Sequence, residues 1–121
     1  MSLQVTTSEK KPRMFTVTVS GSLDTETHSI LDKKIQYLLE EGQARLISLD
    51  LEALTFISSM GVRSIFKAEK DLKSRGGALL MVNLQPPIKK VFEIIHALPS
   101  MRIFANMQEM DDYLARMQSE A

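Results

Sequence analysis

Two short runs, Arg45–Leu51 (RLISLDL) and Ala78–Val82 (ALLMV), are apolar almost throughout. Between them lies a stretch whose apolar members Val62, Ile65, Phe66 and Leu72 share one helical face, ending at Gly76-Gly77. A strand that is apolar on both sides must be covered on both faces, which is the situation of a central strand in a parallel sheet. Two such strands joined by a helix form a βαβ unit, so the chain is committed to an α/β fold with helices packed on the sheet.

The flanking segments fit the same scheme. Met14–Ser20 (MFTVTVS) alternates Phe15, Val17 and Val19 with Thr16 and Thr18, the pattern of a half-buried strand. Leu3–Thr7 is expected to pair with it across a polar turn, Ser8–Arg13, that contains Pro12. After Gly21-Ser22-Leu23-Asp24 the period changes: Leu31, Ile35, Leu38 and Leu39 make a helical stripe over Thr25–Glu41, closed by Gly42. Glu52–Ser58 reads as a loop. Pro86-Pro87 opens a helix carrying Ile88, Val91, Ile94, Ile95 and Leu98, which Pro99 stops. Arg102–Phe104 is a short strand, and Met107, Met110, Leu114 and Met117 stripe a last helix. The expectation is one α/β domain over residues 1–121, a mixed sheet of about four or five strands packed by about four helices. Val17, Val19, Leu49, Ile65, Leu80 and Val91 are expected in the core.

Composition narrows the function. Fifteen Lys and Arg balance fifteen Asp and Glu, so no net field draws the chain to nucleic acid. There is no cysteine, and His28 and His96 are far apart, which argues against disulfides, thiolate chemistry, a metal site and a bound cofactor. No apolar run approaches the roughly 20 residues that span a bilayer, and Met1–Lys11 holds no signal-peptide block, so a cytoplasmic protein away from the membrane is expected.

The stretch from Leu49 to Arg63 (LDLEALTFISSMGVR) carries a buried strand through a loop to two hydroxyls, Ser58 and Ser59, in front of a helix. Two readings stand side by side. A serine here caps the helix by accepting a backbone N–H, or it presents its hydroxyl where a phosphate would be well received. A catalytic serine is disfavoured, because there is no Gly-x-Ser-x-Gly elbow and neither histidine is tied to the loop. No catalytic residue is therefore assigned. Asp24 reads as a helix cap or a contact residue, and Asp50 and Glu52 as solvent-facing residues at a strand end.

Taken together, Gly21-Ser22-Leu23-Asp24 and Phe56-Ile57-Ser58-Ser59-Met60-Gly61-Val62, at their separation and in this element order, resemble the bacterial STAS domain of anti-sigma factor antagonists. The resemblance covers nearly the whole chain. The family's first motif is commonly Gly-Glu-Leu-Asp, and its second places an Asp before the phosphorylated serine. That serine falls on Ser59; Ser58 stands in place of the Asp, Met60 replaces a frequent Ser or Thr, and Gly61 and Asp24 are kept.

The resemblance implies a partner-binding switch. The unphosphorylated domain would bind an anti-sigma factor that is also a serine kinase, phosphorylation at Ser59 would end binding, and a serine phosphatase would restore it. Asp24, Asp50, Ser58, Ser59, Met60, Gly61 and Arg63 are the expected contact residues, with Asp24 lying near Ser59 in space. The rival readings are a STAS module acting in another signalling or transport complex and a small hydrolase built on Ser59.

Overall fold

The computed structural model describes residues 2–94 and 102–120, with side chains of the last helix described as far as Arg116. In order, the elements are β1 (Leu3–Lys11), β2 (Met14–Leu23), α1 (His28–Glu40), β3 (Leu46–Asp50), β4 (Leu54–Ile57), α2 (Ser59–Ser74), β5 (Ala78–Val82), α3 (Pro86–Ile94), β6 (Arg102–Phe104) and α4 (Met107–Glu120). They form the α/β domain expected, with a mixed sheet and helices on both faces.

The sheet is organised around β2. Along one edge β2 takes β1 antiparallel, from Leu3 opposite Gly21 to Lys11 opposite Met14. Along the other edge, Met14–Thr18 pair β3 and Gly21–Leu23 pair β4, both parallel. β5 joins β3 and β6 joins β5, again parallel, giving the order β1-β2-β3-β5-β6 with β4 continuing the β2 edge beyond β3.

Alternation divides the core between the two faces. Val17, Val19, Ile47, Leu49, Leu79 and Met81 point to one side, where Leu31, Ile35 and Leu39 of α1, Ile65 and Leu72 of α2 and Phe92 of α3 pack on them. Leu80, Val82 and Phe104 point to the other and are covered by Met110 of α4, with Leu46, Met107, Tyr113 and Leu114 around them. Double coverage is why ALLMV has no polar member. RLISLDL buries one polar side chain, Ser48, whose hydroxyl meets Thr16 Oγ1 at 3.1 Å, so both buried polar groups are satisfied.

Several boundaries differ from those read in the sequence. β1 runs on to Lys11 rather than ending at Thr7, and the turn shrinks to Pro12-Arg13. Pro12 suits the first inner position of such a turn, and Arg13 takes the left-handed φ of 67° at the second. That conformation is held because Glu9 Oε2 accepts from Arg13 N–H at 3.0 Å and Gln43 O accepts from Arg13 Nε at 2.9 Å. β2 continues through Gly21-Ser22-Leu23, α1 starts at His28, and the expected loop at Glu52–Ser58 contains β4, making six strands among the described residues. Of the expected core, Val17, Val19, Leu49, Ile65 and Leu80 are buried, whereas Val91 is half-buried against the edge of the cluster. The helix end at Pro99 and His96 lie outside the described residues.

α2 ends in a Schellman motif. Gly76 N–H donates to Lys73 O at 3.0 Å, and Gly77 N–H donates to Leu72 O at 2.8 Å, while Gly76 takes a φ of 77°. The two glycines are required for different reasons. At Gly76 only the backbone angle is demanding, since a Cβ would have no neighbour closer than 4.0 Å; at Gly77 a Cβ would stand 2.4 Å from Arg45 O. Gly76→Asn should therefore cost under about 1 kcal/mol, because Asn tolerates the left-handed region. Gly77→Ala should cost about 1 to 3 kcal/mol by overpacking the approach to β3. Urea unfolding midpoints of the two variants check this ordering.

Candidate functional site

The parallel strands β2, β3, β4 and β5 all deliver their C-terminal ends to one edge of the sheet, and the loops there hold nearly every candidate residue. Leu23 is paired with Ile57 at the ends of β2 and β4. The next residues along each strand, Asp24 and Ser58, therefore leave the sheet side by side. A backbone bond locks this, as Ser58 N–H donates to Leu23 O at 2.9 Å.

Ser58 is the N-cap of α2. It has an extended backbone, its Oγ accepts from Gly61 N–H at 3.3 Å, and its carbonyl accepts from Val62 N–H at 3.0 Å. The capping function thus falls on Ser58 and leaves Ser59 free of it. Ser59, the first helical residue, is exposed, and its hydroxyl has no hydrogen bond to a described residue. The N–H groups of Ser59 and Met60 have no acceptor within the described residues, so the positive end of α2 is open beside that hydroxyl.

The remaining candidates divide by burial. Gly61 is buried: a Cβ there would meet Leu23 O at 2.6 Å and Ile57 Cγ1 at 2.8 Å, so this residue lets α2 approach the strand ends and offers little surface itself. Met60 is half-buried and Arg63 exposed. Asp50 was expected to face solvent, but it is half-buried and tied down. Its Oδ1 accepts from Glu52 N–H and from Asn83 Nδ2, both at 3.1 Å, joining the loops after β3 and β5; Glu52 itself is exposed.

Asp24 organises the turn into α1. Its Oδ1 accepts from Glu26 N–H at 3.0 Å and Thr27 N–H at 3.1 Å. The buried Thr27 hydroxyl accepts from Asp24 N–H at 3.0 Å and shares its proton between Ser22 O at 2.7 Å and Asp24 Oδ1 at 3.1 Å. Asp24 is therefore a cap one turn ahead of α1, whose own N-cap, Thr27, makes no side-chain cap bond.

Two residues the sequence did not single out belong to this edge. Phe56 is 47% exposed on β4, an aromatic face in solvent two residues before Ser58. Asn83, with a left-handed φ of 61°, is the donor that holds Asp50. An Asn directly after a strand and shortly before Pro86 could have flagged such a turn, whereas nothing local marks Phe56 as outward-facing.

Among the described residues no histidine is hydrogen-bonded to Ser59. His28 Nδ1 lies 3.0 Å from Asp32 Oδ2 within α1 and 3.4 Å from Ser64 Oγ of α2, so its polar partners are Asp32 and Ser64. Among the described residues no three His, Cys, Asp or Glu side chains gather as a metal site, and no helix is long and apolar enough to cross a membrane.

Partial desolvation pushes the Asp24 carboxyl up, and the Thr27 hydroxyl with the Glu26 and Thr27 N–H groups pulls it down further, leaving it below its ordinary value. Because the folded-state value is the lower one, the stability Asp24 adds is complete above the unfolded carboxylate pKa and is lost as pH falls through the folded one. Asp24→Asn should lower the urea midpoint at neutral pH and flatten its decline between about pH 5 and pH 2. A pH series of unfolding curves for both proteins tests this.

The chain is similar in sequence and fold to known proteins. A STAS domain model matches residues 6–110. BtrV of Bordetella bronchiseptica, assigned as an anti-sigma factor antagonist, is 30% identical over 88 residues, 73% of this chain and 75% of that one. The anti-sigma F factor antagonist of Paenibacillus polymyxa is 26% identical over 90 residues, 74% of this chain and 77% of its own length. The phosphorylated form of the Bacillus cell fate determinant SpoIIAA superposes with a TM-score of 0.73 at 22% identity, covering 92% of this chain and 99% of that one. With the mixed sheet, the capped serine loop and a family match over most of its length, this chain belongs to the STAS domain family.

Proposed function

We propose that this protein is an anti-sigma factor antagonist of the cytoplasm whose binding is switched by phosphorylation of Ser59. Unphosphorylated, it binds an anti-sigma factor that is also a serine kinase and so frees the sigma factor. Phosphorylated, it lets the anti-sigma factor go, and a serine phosphatase resets it. The observation that carries this reading is the division of labour in the serine loop. Ser58 does the capping, and Ser59 stands exposed with an unengaged hydroxyl at the open end of α2. The names of the two bacterial relatives and the solved phosphorylated form of SpoIIAA support it.

The chemistry of the loop fits a switch that leaves the fold alone. A phosphoserine adds roughly −1.5 to −2 charges and three acceptor oxygens. At the start of α2 that charge meets the helix N–H groups and is tolerated. In a contact surface formed by Asp24, Phe56, Met60 and Arg63 it would bring desolvation and repulsion with Asp24, so binding falls while the domain stays folded. The Ser58 hydroxyl, in the position of the family's Asp, caps α2 without a second negative charge.

Ser59→Ala should leave partner affinity and the unfolding midpoint close to wild type and abolish phosphate incorporation by the kinase. Ser59→Asp should fold as well as wild type and bind at least about tenfold more weakly. Ser58→Ala should lose about 0.5 to 2 kcal/mol of stability through the missing cap and still be phosphorylated. Calorimetric titration of the anti-sigma partner against each variant, with mass spectrometry of the kinase reaction, measures all three. Equal affinities throughout, or phosphate on Ser58, would falsify the assignment of Ser59.

A further inference from the structure

On the face of the sheet away from α1 and α2, helix α4 covers only part of the surface. It lies over β5 and β6, and beside it the chain encloses a partly open cavity of about 570 Å³ between α4 and the β1-β2-β3 half of the sheet. This size falls within the range of small-molecule sites. Its walls are apolar, with Met14 and Leu46 from the strands and Met107, Met110 and Leu114 from α4. The three methionines give it soft, adaptable sides.

The polar groups of the cavity are few and placed. Thr16 and Ser48, adjacent in register on β2 and β3, are both more than nine-tenths buried and join through their hydroxyls at 3.1 Å. Ser48 Oγ also donates to Phe15 O at 3.4 Å, so the Thr16 hydroxyl spends its one proton on Ser48 and the pair is satisfied internally. At the mouth stand Lys10 and Lys11, both exposed, facing one acid, Asp111. Lys11 sits opposite Met14 in the β1–β2 ladder, hence on the same face of the sheet as Met14 and Thr16. The rim is net positive, the walls are apolar and one buried hydroxyl pair forms the floor.

We propose that this cavity binds a small amphipathic monocarboxylic acid. Its apolar body lies against Met14, Leu46, Met107, Met110 and Leu114, and its carboxylate is met by Lys10 and Lys11 at the rim. The site is separate from the Ser59 loop and does not depend on the switch assigned to it.

The probe is decanoate, with decanol as its neutral counterpart, titrated below micelle formation into protein labelled with ¹³C at the methionine methyls. Decanoate should shift the Met14, Met107 and Met110 signals saturably, leave Met60 and Met81 unmoved, and bind about tenfold more tightly than decanol. Lys10→Gln with Lys11→Gln should erase most of that preference while leaving decanol binding unchanged. Ala115→Trp, at an exposed position of the cavity lining, should block both compounds. The proposal is overturned by unsaturable or absent shifts of the three methyls, or by equal affinity for decanoate and decanol. Shifts that grow with protein concentration before any ligand is added would overturn it too, since a second copy would then cover this face.

Discussion

The structure depends on β2 being longer than either strand it pairs on its parallel edge. Its first half is matched by β3 and its last three residues by β4, so the chain between them need only turn through residues 51–53 to resume the same direction. Leu54 N–H donates to Leu51 O at 3.1 Å, and Gly21 N–H donates to Ala53 O at 3.0 Å, which closes that turn against β2. Because Leu23 and Ile57 end the ladder together, the first loop and the serine loop leave the sheet as neighbours. The neighbouring position of these two loops is thus a consequence of strand pairing, and its precision comes from backbone bonds rather than from flexible side chains.

Within that edge, hydroxyls and carboxylates have separate tasks. Ser58 and Asp24 are each consumed by orphan N–H groups at the start of a helical turn, while Asp50 is consumed by Asn83 and Glu52. These groups hold three loops in place beside the Ser59 hydroxyl, which is engaged by none of them. A modification at Ser59 can therefore change the surface charge without removing a bond on which the fold relies, which is the physical requirement of a reversible switch. Gly61 belongs to the same logic, since any side chain there would drive α2 off Leu23 and move Ser59 with it.

The two faces of the sheet are unequal. One is sealed by α1, α2 and α3 into a core in which Val17, Val19, Ile47, Leu49 and Met81 are fully buried. The other carries hydroxyls on β2 and β3 and is only partly covered by α4. A hydroxyl pair that is satisfied internally can be buried at small cost, and it does not fill volume as a larger apolar side chain would. The cavity beside α4 follows from that choice of residues.

The alternation of strands and helices and the parallel core were legible in the sequence because each rests on a local signal, whereas the choice of Ser59 rested on the family resemblance. RLISLDL and ALLMV are short, mostly apolar runs, helical stripes lie between and around them, and the Phe56–Val62 motif marks the serine loop. Other features were not legible. Leu54–Ile57 has Thr55 and Phe56 both exposed, so its pattern breaks the alternation of a strand, and it is a strand only because β2 offers an unpaired edge there. The second half of β1, polar on both faces, is held by register against β2 and not by burial. Which of two adjacent serines caps α2 was decided by where the Leu23 carbonyl lies, as it fixes Ser58 in the extended conformation that a cap requires. The sequence by itself determined the periodicities and the chemical groups available; the tertiary structure alone decided which of those groups were consumed in holding loops together and which remained free, because that depends on contacts between segments far apart in the chain.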